Sequence, residues 1–220
     1  MKKVLLMFSG GKDTMLSACL LAESNYDVLL ITYDNGAEKG LEISFENFLQ
    51  LKRIYKNIHH LGIKDISRTW KQFLRPFLLG KLKTNLLPME YFCITCRLSM
   101  YVHSTALAVS RRINYIAEGA RRSQLFPEQH PSVLKRFREL AGYFDLEVLL
   151  PVYDMKSEEV KEELLFRNIT PRIMEPYCIF SMPLYTYRIS EGSLEELTRL
   201  LDEILMPKAK YLIGELIEKK

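Results

Sequence analysis

Ser9-Gly10-Gly11-Lys12-Asp13-Thr14 is the stretch on which the reading of this chain turns. It follows an apolar run, Val4 to Phe8, and precedes a segment whose apolar residues Leu16, Cys19, Leu20 and Ala22 recur at helical spacing. A buried strand, a Gly-Gly turn and a helix start, in that order, form a cradle for phosphate. The glycines let the backbone approach a ligand in dihedrals other residues avoid. The helix start offers free N–H groups and the positive end of its dipole. Ser9 and Thr14 add hydroxyls, Lys12 adds a charge, and Asp13 is placed to hold Mg²⁺ against phosphate oxygens. The GxxxxGK[ST] spacing of a P-loop is absent.

Working outward, Asp27–Tyr33 is a second apolar strand, closing on the polar turn Asp34-Asn35-Gly36. A helix is expected from about Leu41 to Asn57, and a short strand at His59–Ile63, whose two histidines would face opposite sides. Ser67–Lys83 reads as a basic and aromatic amphipathic helix, with Arg68, Lys71 and Arg75 on a face that RNA phosphates could meet. Leu86-Leu87-Pro88 breaks the chain before Cys93-Ile94-Thr95-Cys96 and a helix from Arg97 to about Arg112. Asn114–Ala117 is a strand that closes on Glu118-Gly119-Ala120-Arg121-Arg122, a second glycine-containing loop whose arginines suit bidentate phosphate contacts. Leu125–Pro131 reads as an irregular lid. A helix at Val133–Gly142, a strand at Leu146–Val152 and a helix from Ser157 to Phe166 follow. Pro171–Tyr187 is punctuated by prolines, and helices are expected at Leu194–Leu205 and Lys208–Lys219. Strands alternating with helices predict a doubly wound, mainly parallel α/β sheet with helices on both faces. Residues 1–190 are read as the α/β domain and 191–220 as a helical appendage.

Composition sets the bounds. The chain has 220 residues, 48% hydrophobic and 26% charged, with a formal net charge of +4. That balance suits a polyanion such as ATP and permits nucleic acid without demanding it. The opening MKKVLLMFSGG is too short in its apolar part for a signal peptide. No apolar run in the sequence approaches a membrane span, so a cytoplasmic protein is expected. Four cysteines, two of them in C-x-x-C, point to metal or redox chemistry in such a setting.

SGGKDT directly after the first strand resembles the signature of the PP-loop ATP pyrophosphatases. The resemblance implies that the loop grips the phosphates of ATP with Mg²⁺, that Thr32, Tyr33 and Asp34 line the adenosine pocket, and that Gly119 and one of Arg121 and Arg122 lie near the nucleotide. It further implies attack of an acceptor oxygen on the α-phosphorus, with Lys12 and Asp13 in the catalytic machinery.

Cys93 and Cys96 are read as bracketing a helix start, where a thiolate is stabilised and its pKa falls; Cys19 is read as core. The C-x-x-C pair with the distant Cys178 is similar to the pattern of the tRNA-thiolating branch. There the resemblance implies either three cysteines ligating a [4Fe–4S] cluster or a catalytic persulfide pair of one C-x-x-C cysteine and a distant one. Cys93, Cys96 and Cys178 are the candidates for either role, with Cys93 and Cys178 as the catalytic pair. Zn²⁺ with His103 as fourth ligand is a further arrangement. The Glu118–Arg122 loop differs from the Gly-His type of that branch. The partners implied are ATP, a tRNA or small-molecule acceptor, and a sulfur or ammonia donor; no membrane is expected and self-association is left open. The alternatives are a PP-loop enzyme that amidates or activates a small deazapurine-type molecule, and an ATP- or metal-binding module without turnover.

Overall fold

The computed structural model describes residues 1–124, 126–170, 177–180 and 188–219. Strand β1 (Lys2–Met7) leads through helix α1 (Lys12–Glu23) to β2 (Tyr26–Asp34). The two-residue strand β3 (Glu38–Lys39) and helix α2 (Glu42–Ile54) connect β2 to β4 (Ile58–Asp65). Helices α3 (Ser67–Leu78) and α4 (Pro88–Ser110) carry the chain back to β5 (Tyr115–Glu118), and α5 (Pro131–Gly142) leads to β6 (Glu147–Leu149). After α6 (Ser157–Phe166) come β7 (Tyr177–Cys178), α7 (Glu191–Leu200) and α8 (Met206–Glu218). The main sheet has the order β4-β2-β1-β5-β6, with every pairing parallel. This is the doubly wound α/β architecture the alternating pattern predicts.

The order explains the sequence of β1. Strands are added on one side of it as far as β4 and on the other from β5 onward, so β1 is central and covered on both faces. Leu5 and Met7 face one core, shared with α3, α4, α5 and the C-terminal helices. Val4, Leu6 and Phe8 face the other, shared with α1 and α6. The reversal of strand order beside β1 opens a crevice at the carboxyl ends of the strands, which is where ligands bind in open parallel sheets.

Helix α4 departs from the sequence reading in two ways. It begins at Pro88, with Leu87 as N-cap and the Leu87 N–H donating to Glu90 Oε2 at 2.7 Å. Proline at the first helical position needs no N–H partner and has its φ preset, so the helix starts before the C-x-x-C pair. Cys93 and Cys96 therefore sit in its second and third turns. The helix is also long and apolar enough, by length and mean hydropathy (1.2), to cross a membrane, where no such run was expected. Its apolar surface instead goes into the core, with Tyr91, Ile94, Leu98, Tyr101, Val102 and Ala106 all buried.

The C-terminal helices run on with little break. A π-helical turn at Leu201–Leu205 joins α7 to α8, and Leu197, Leu200, Leu205, Ala209 and Ile213 pack into the same core as α4. Of the proline-punctuated segment expected at 171–187, only 177–180 lie among the described residues. Those residues give β7, which pairs antiparallel with β3 and sets Cys178 opposite Glu38. Of the expectation for Leu125–Pro131, the irregular conformation is corrected over residues 127–129. Pro127–Gln129 form a 3₁₀ turn, and Gln129 Oε1 accepts from the Arg121 N–H at 2.9 Å; Leu125 lies outside the described residues.

Candidate active site

At the crevice beside β1 lies a cavity of about 520 Å³. Its near end is the Ser9–Thr14 loop. Gly10 has φ +86°, and a Cβ there would stand 2.6 Å from Ser44 Cα, so only glycine fits. Asn47 Nδ2 donates to Gly10 O at 2.7 Å from behind. The hydroxyls brace the turn: Ser9 Oγ accepts from the Gly11 N–H at 3.2 Å, and Thr14 Oγ1 donates to Gly11 O at 2.9 Å. Gly11 is the N-cap of α1 and no side chain caps it, which leaves the helix start open toward the cavity. Lys12 Nζ donates to Ser157 Oγ at 2.8 Å, tying the loop to the start of α6.

The loop after β5 closes over α1. A Cβ on Gly119 would lie 2.8 Å from Thr14 N and 2.9 Å from the Asp13 carbonyl carbon. Glycine is required here for close approach of two backbones, a reason the sequence does not reveal. Arg121, 4% exposed, brings its Nε to 2.8 Å from Asp13 Oδ1. The N–H points off the line to that oxygen, so the contact is ionic more than hydrogen-bonded. Gln124 Nε2 donates to Asp13 Oδ2 at 3.0 Å, and Arg121 Nη1 donates to Ser123 Oγ at 2.8 Å. Asp13, expected as a Mg²⁺ ligand, is thus also the anchor of an arginine. Arg122 does not share this place. Its side chain is exposed, stacks over Tyr153 and pairs with Asp154 at 3.1 Å, away from the cavity.

At the end of β2, Thr32 and Tyr33 line the cavity and Asp34 does not. Thr32 Oγ1 donates to Phe8 O at 2.7 Å, joining β2 to the end of β1. The Tyr33 hydroxyl is turned into the core, 2.7 Å from Ser104 Oγ. Asp34 Oδ1 accepts from the Gly36 N–H at 2.7 Å and holds the turn. Of these three residues, one braces the strands, one is core and one is a turn residue.

The far end brings Cys93, Cys96 and Cys178 to the same cavity as the phosphate loop. None of the cysteines is in a disulfide. Their chemistry is opposite to the helix-start expectation. Burial pushes the Cys93 thiol well above its usual range, and Glu128, Cys96 and Cys178 nearby add to this. Burial does the same to Cys96, with Glu38 beside it; Asn35 Nδ2 donates to Cys96 Sγ at 3.0 Å and opposes the shift only in part. The reason is position: inside α4 the thiols meet low dielectric and carboxylates, not a helix N-terminus. Cys19 is buried in the core as expected, its thiol pushed up to about 12.

Among the described residues no group of three His, Cys, Asp or Glu side chains is spaced to hold a metal ion. His103, expected as a fourth Zn²⁺ ligand, is elsewhere, packed on Tyr33 with Nε2 2.8 Å from Thr69 Oγ1. Neither the cluster nor the zinc arrangement expected from the sequence is present as a preformed site among the described residues.

Sequence reasoning missed Arg97, Glu38 and Glu128 at this end. Arg97 was legible: Cys93, Cys96, Arg97 and Met100 follow one face of α4 at i, i+3, i+4 and i+7, and all four line the cavity. Arg97 Nη1 meets Glu118 Oε2 at 3.0 Å, and Glu118 Oε1 accepts from the Tyr101 hydroxyl at 2.6 Å. Burial works against the Arg97 charge, yet Glu118 and Glu128 raise its pKa overall. Glu38 and Glu128 carry no local signal, because β3 enters the site only through its pairing with β7.

No protein-family model matches the chain. It is 26% identical over 205 residues to argininosuccinate synthase of Hyperthermus butylicus, covering 88% of this chain and 47% of that protein, so it spans about half the length of that curated relative. Three solved structures share the fold. A 4-thiouridine synthetase in complex with RNA and bound ATP has a TM-score of 0.65 at 14% identity, covering 99% of this chain and 53% of that one. NMN synthetase from Francisella tularensis has a TM-score of 0.56 at 13% identity, over 98% and 84%. A predicted subunit of tRNA methyltransferase from Methanocaldococcus jannaschii has a TM-score of 0.50 at 16% identity, over 81% and 97%. These likenesses show the fold, a doubly wound α/β sheet that the chain shares with a 4-thiouridine synthetase and NMN synthetase.

Proposed function

We propose that this protein cleaves ATP to AMP and pyrophosphate while adenylating an acceptor, and then transfers sulfur to the activated carbon. The observation that carries this reading is that one cavity joins the phosphate loop to three thiols. ATP enters as its Mg²⁺ complex. The open start of α1, Lys12 and Arg121 take the β- and γ-phosphates, leaving the α-phosphorus toward the far end. An acceptor oxygen attacks there and pyrophosphate leaves. Positioning and charge stabilisation supply most of the acceleration. The terminal sulfur of a persulfide on Cys93 or Cys178 then attacks the acceptor carbon and AMP leaves. A second thiol lining the same cavity attacks the inner sulfur, which releases the thiolated product and leaves a Cys–Cys disulfide that an external thiol reductant returns to the dithiol.

Thiolation of a tRNA base is the first acceptor to test, supported by the fold likeness to a synthetase solved with RNA. A small heterocycle, thiolated or amidated, is the second. The aromatic lining of Trp70, Phe92 and Phe180 favours it. The deciding assay follows ATP with each acceptor and a persulfide donor. AMP and pyrophosphate with a sulfur-for-oxygen mass change in the acceptor support the reading. Sustained release of ADP and phosphate, or none of either, overturns it.

A further inference from the structure

The far end of the cavity holds more carboxyl groups than cationic ones. Arg97 is matched by Glu118, which leaves the carboxylates of Glu38 and Glu128 over. They come from different segments, β3 and the 3₁₀ turn, and both border the cavity. Glu128 Oε2 is shut off from bulk solvent and has no hydrogen-bond partner among the described residues. Burial holds both carboxyls above their ordinary range, opposed at each by Arg97 and at Glu128 also by a backbone N–H, and among the described residues no side-chain donor relieves either. The same cavity is lined by Trp70, Phe92 and Phe180, with Phe92 packed edge to face on both others at centroid distances of 6.3 Å from Trp70 and 5.1 Å from Phe180.

Carboxylates accept two parallel N–H donors well, and aromatic faces attract flat cations. An anion would meet two carboxylates at low dielectric. A purely apolar group would leave the Glu128 oxygen without a donor. We propose that this end is the acceptor subsite and takes an amidinium or guanidinium group, or the equivalent N–H pair of a nitrogen heterocycle, between Glu38 and Glu128 and against the aromatic wall. This rests on the reading of the cavity as a site for ATP plus acceptor. It favours acceptors with an amino-substituted C=N edge over those with only carbonyl oxygens there.

Trp70 is the single tryptophan of the chain and lines the cavity, so its fluorescence reports occupancy of this end. The test titrates the whole protein with benzamidine, benzamide and benzoate, which share one ring and differ in charge and donors. Benzamidine should bind about tenfold more tightly than benzoate, and Glu38→Gln and Glu128→Gln should each remove about tenfold of that affinity. Circular dichroism of the variants and the ligand ranking on the unaltered protein keep the result independent of a folding defect. Equal binding of all three ligands, or a preference for benzoate, overturns the proposal. So does a Glu128→Gln variant that loses MgATP affinity while keeping benzamidine, since that carboxylate would then serve the metal. ATP binding is measured by calorimetry on the same samples. Loss of ATP binding alone would overturn the adenylation reading and leave the amidinium subsite standing.

Discussion

Arg121 Nε lies 2.8 Å from Asp13 Oδ1, across the first turn of α1. The pair joins the start of α1 to the loop after β5, more than a hundred residues apart in sequence, and holds the guanidinium beside the Ser9–Thr14 turn. Nearly all of both side chains is withdrawn from solvent, so the charge is preset and little screened.

Breaking this pair should cost catalysis more than binding. Arg121→Ala is expected to lower pyrophosphate release about a hundredfold, and Arg121→Lys to recover only part, because one ammonium cannot reproduce the guanidinium fork. Arg122→Ala should stay near the parent rate, since its exposed pair with Asp154 contributes little. Steady-state kinetics on the three variants checks this; equal losses at Arg121 and Arg122 would contradict the placement.

Gly119 should tolerate no side chain. With a Cβ 2.8 Å from Thr14 N, Gly119→Ala must push the β5 loop off α1, at a cost of about 1–3 kcal/mol. Thermal unfolding should show the loss, and ATP affinity should fall with it, because the displaced element is the phosphate loop itself.

The buried Glu38 gives stability a pH dependence whose sign is fixed. Burial pushes its carboxyl up to about 7 from 4.5, against the pull of Arg97 and with Asp34 adding to the rise. The group is protonated more readily folded than unfolded. Its contribution is therefore fully present below pH 4.5 and is lost as pH rises through 7. Melting curves across that window should show Glu38→Gln gaining relative to the parent as pH rises, and a constant difference would count against the assignment.

The thiols of Cys93 and Cys96 should react slowly. Burial and neighbouring carboxylates hold them protonated, so alkylation at neutral pH should lag well behind the unfolded chain and accelerate on alkalinisation. Mass spectrometry of peptides after timed iodoacetamide treatment measures this. Rapid labelling at neutral pH would restore the helix-start reading.

The reach of sequence reasoning differed from element to element. Strands β1 and β2 were legible because both of their faces are covered and both had to be apolar. Helix α4 was misplaced although Pro88 signalled its start, and that error reversed the acidity assigned to Cys93 and Cys96. Arg122 looked equivalent to Arg121. Only the path of the loop, with the Arg122 N–H bonded to Tyr153 O at 2.8 Å, turned one arginine inward and the other out.

By itself the sequence determined the Ser9–Thr14 turn, since a strand, two glycines and a helix start are local and their geometry follows from backbone sterics. It also determined the alternation that makes the sheet parallel and doubly wound. The tertiary structure alone decided what that loop faces. The β3–β7 pairing, the phase of α4 and the turn at Pro127–Gln129 bring Glu38, Arg97, Glu128 and the three thiols to one cavity. Such proximity depends on long-range packing, which leaves no periodic trace in the chain.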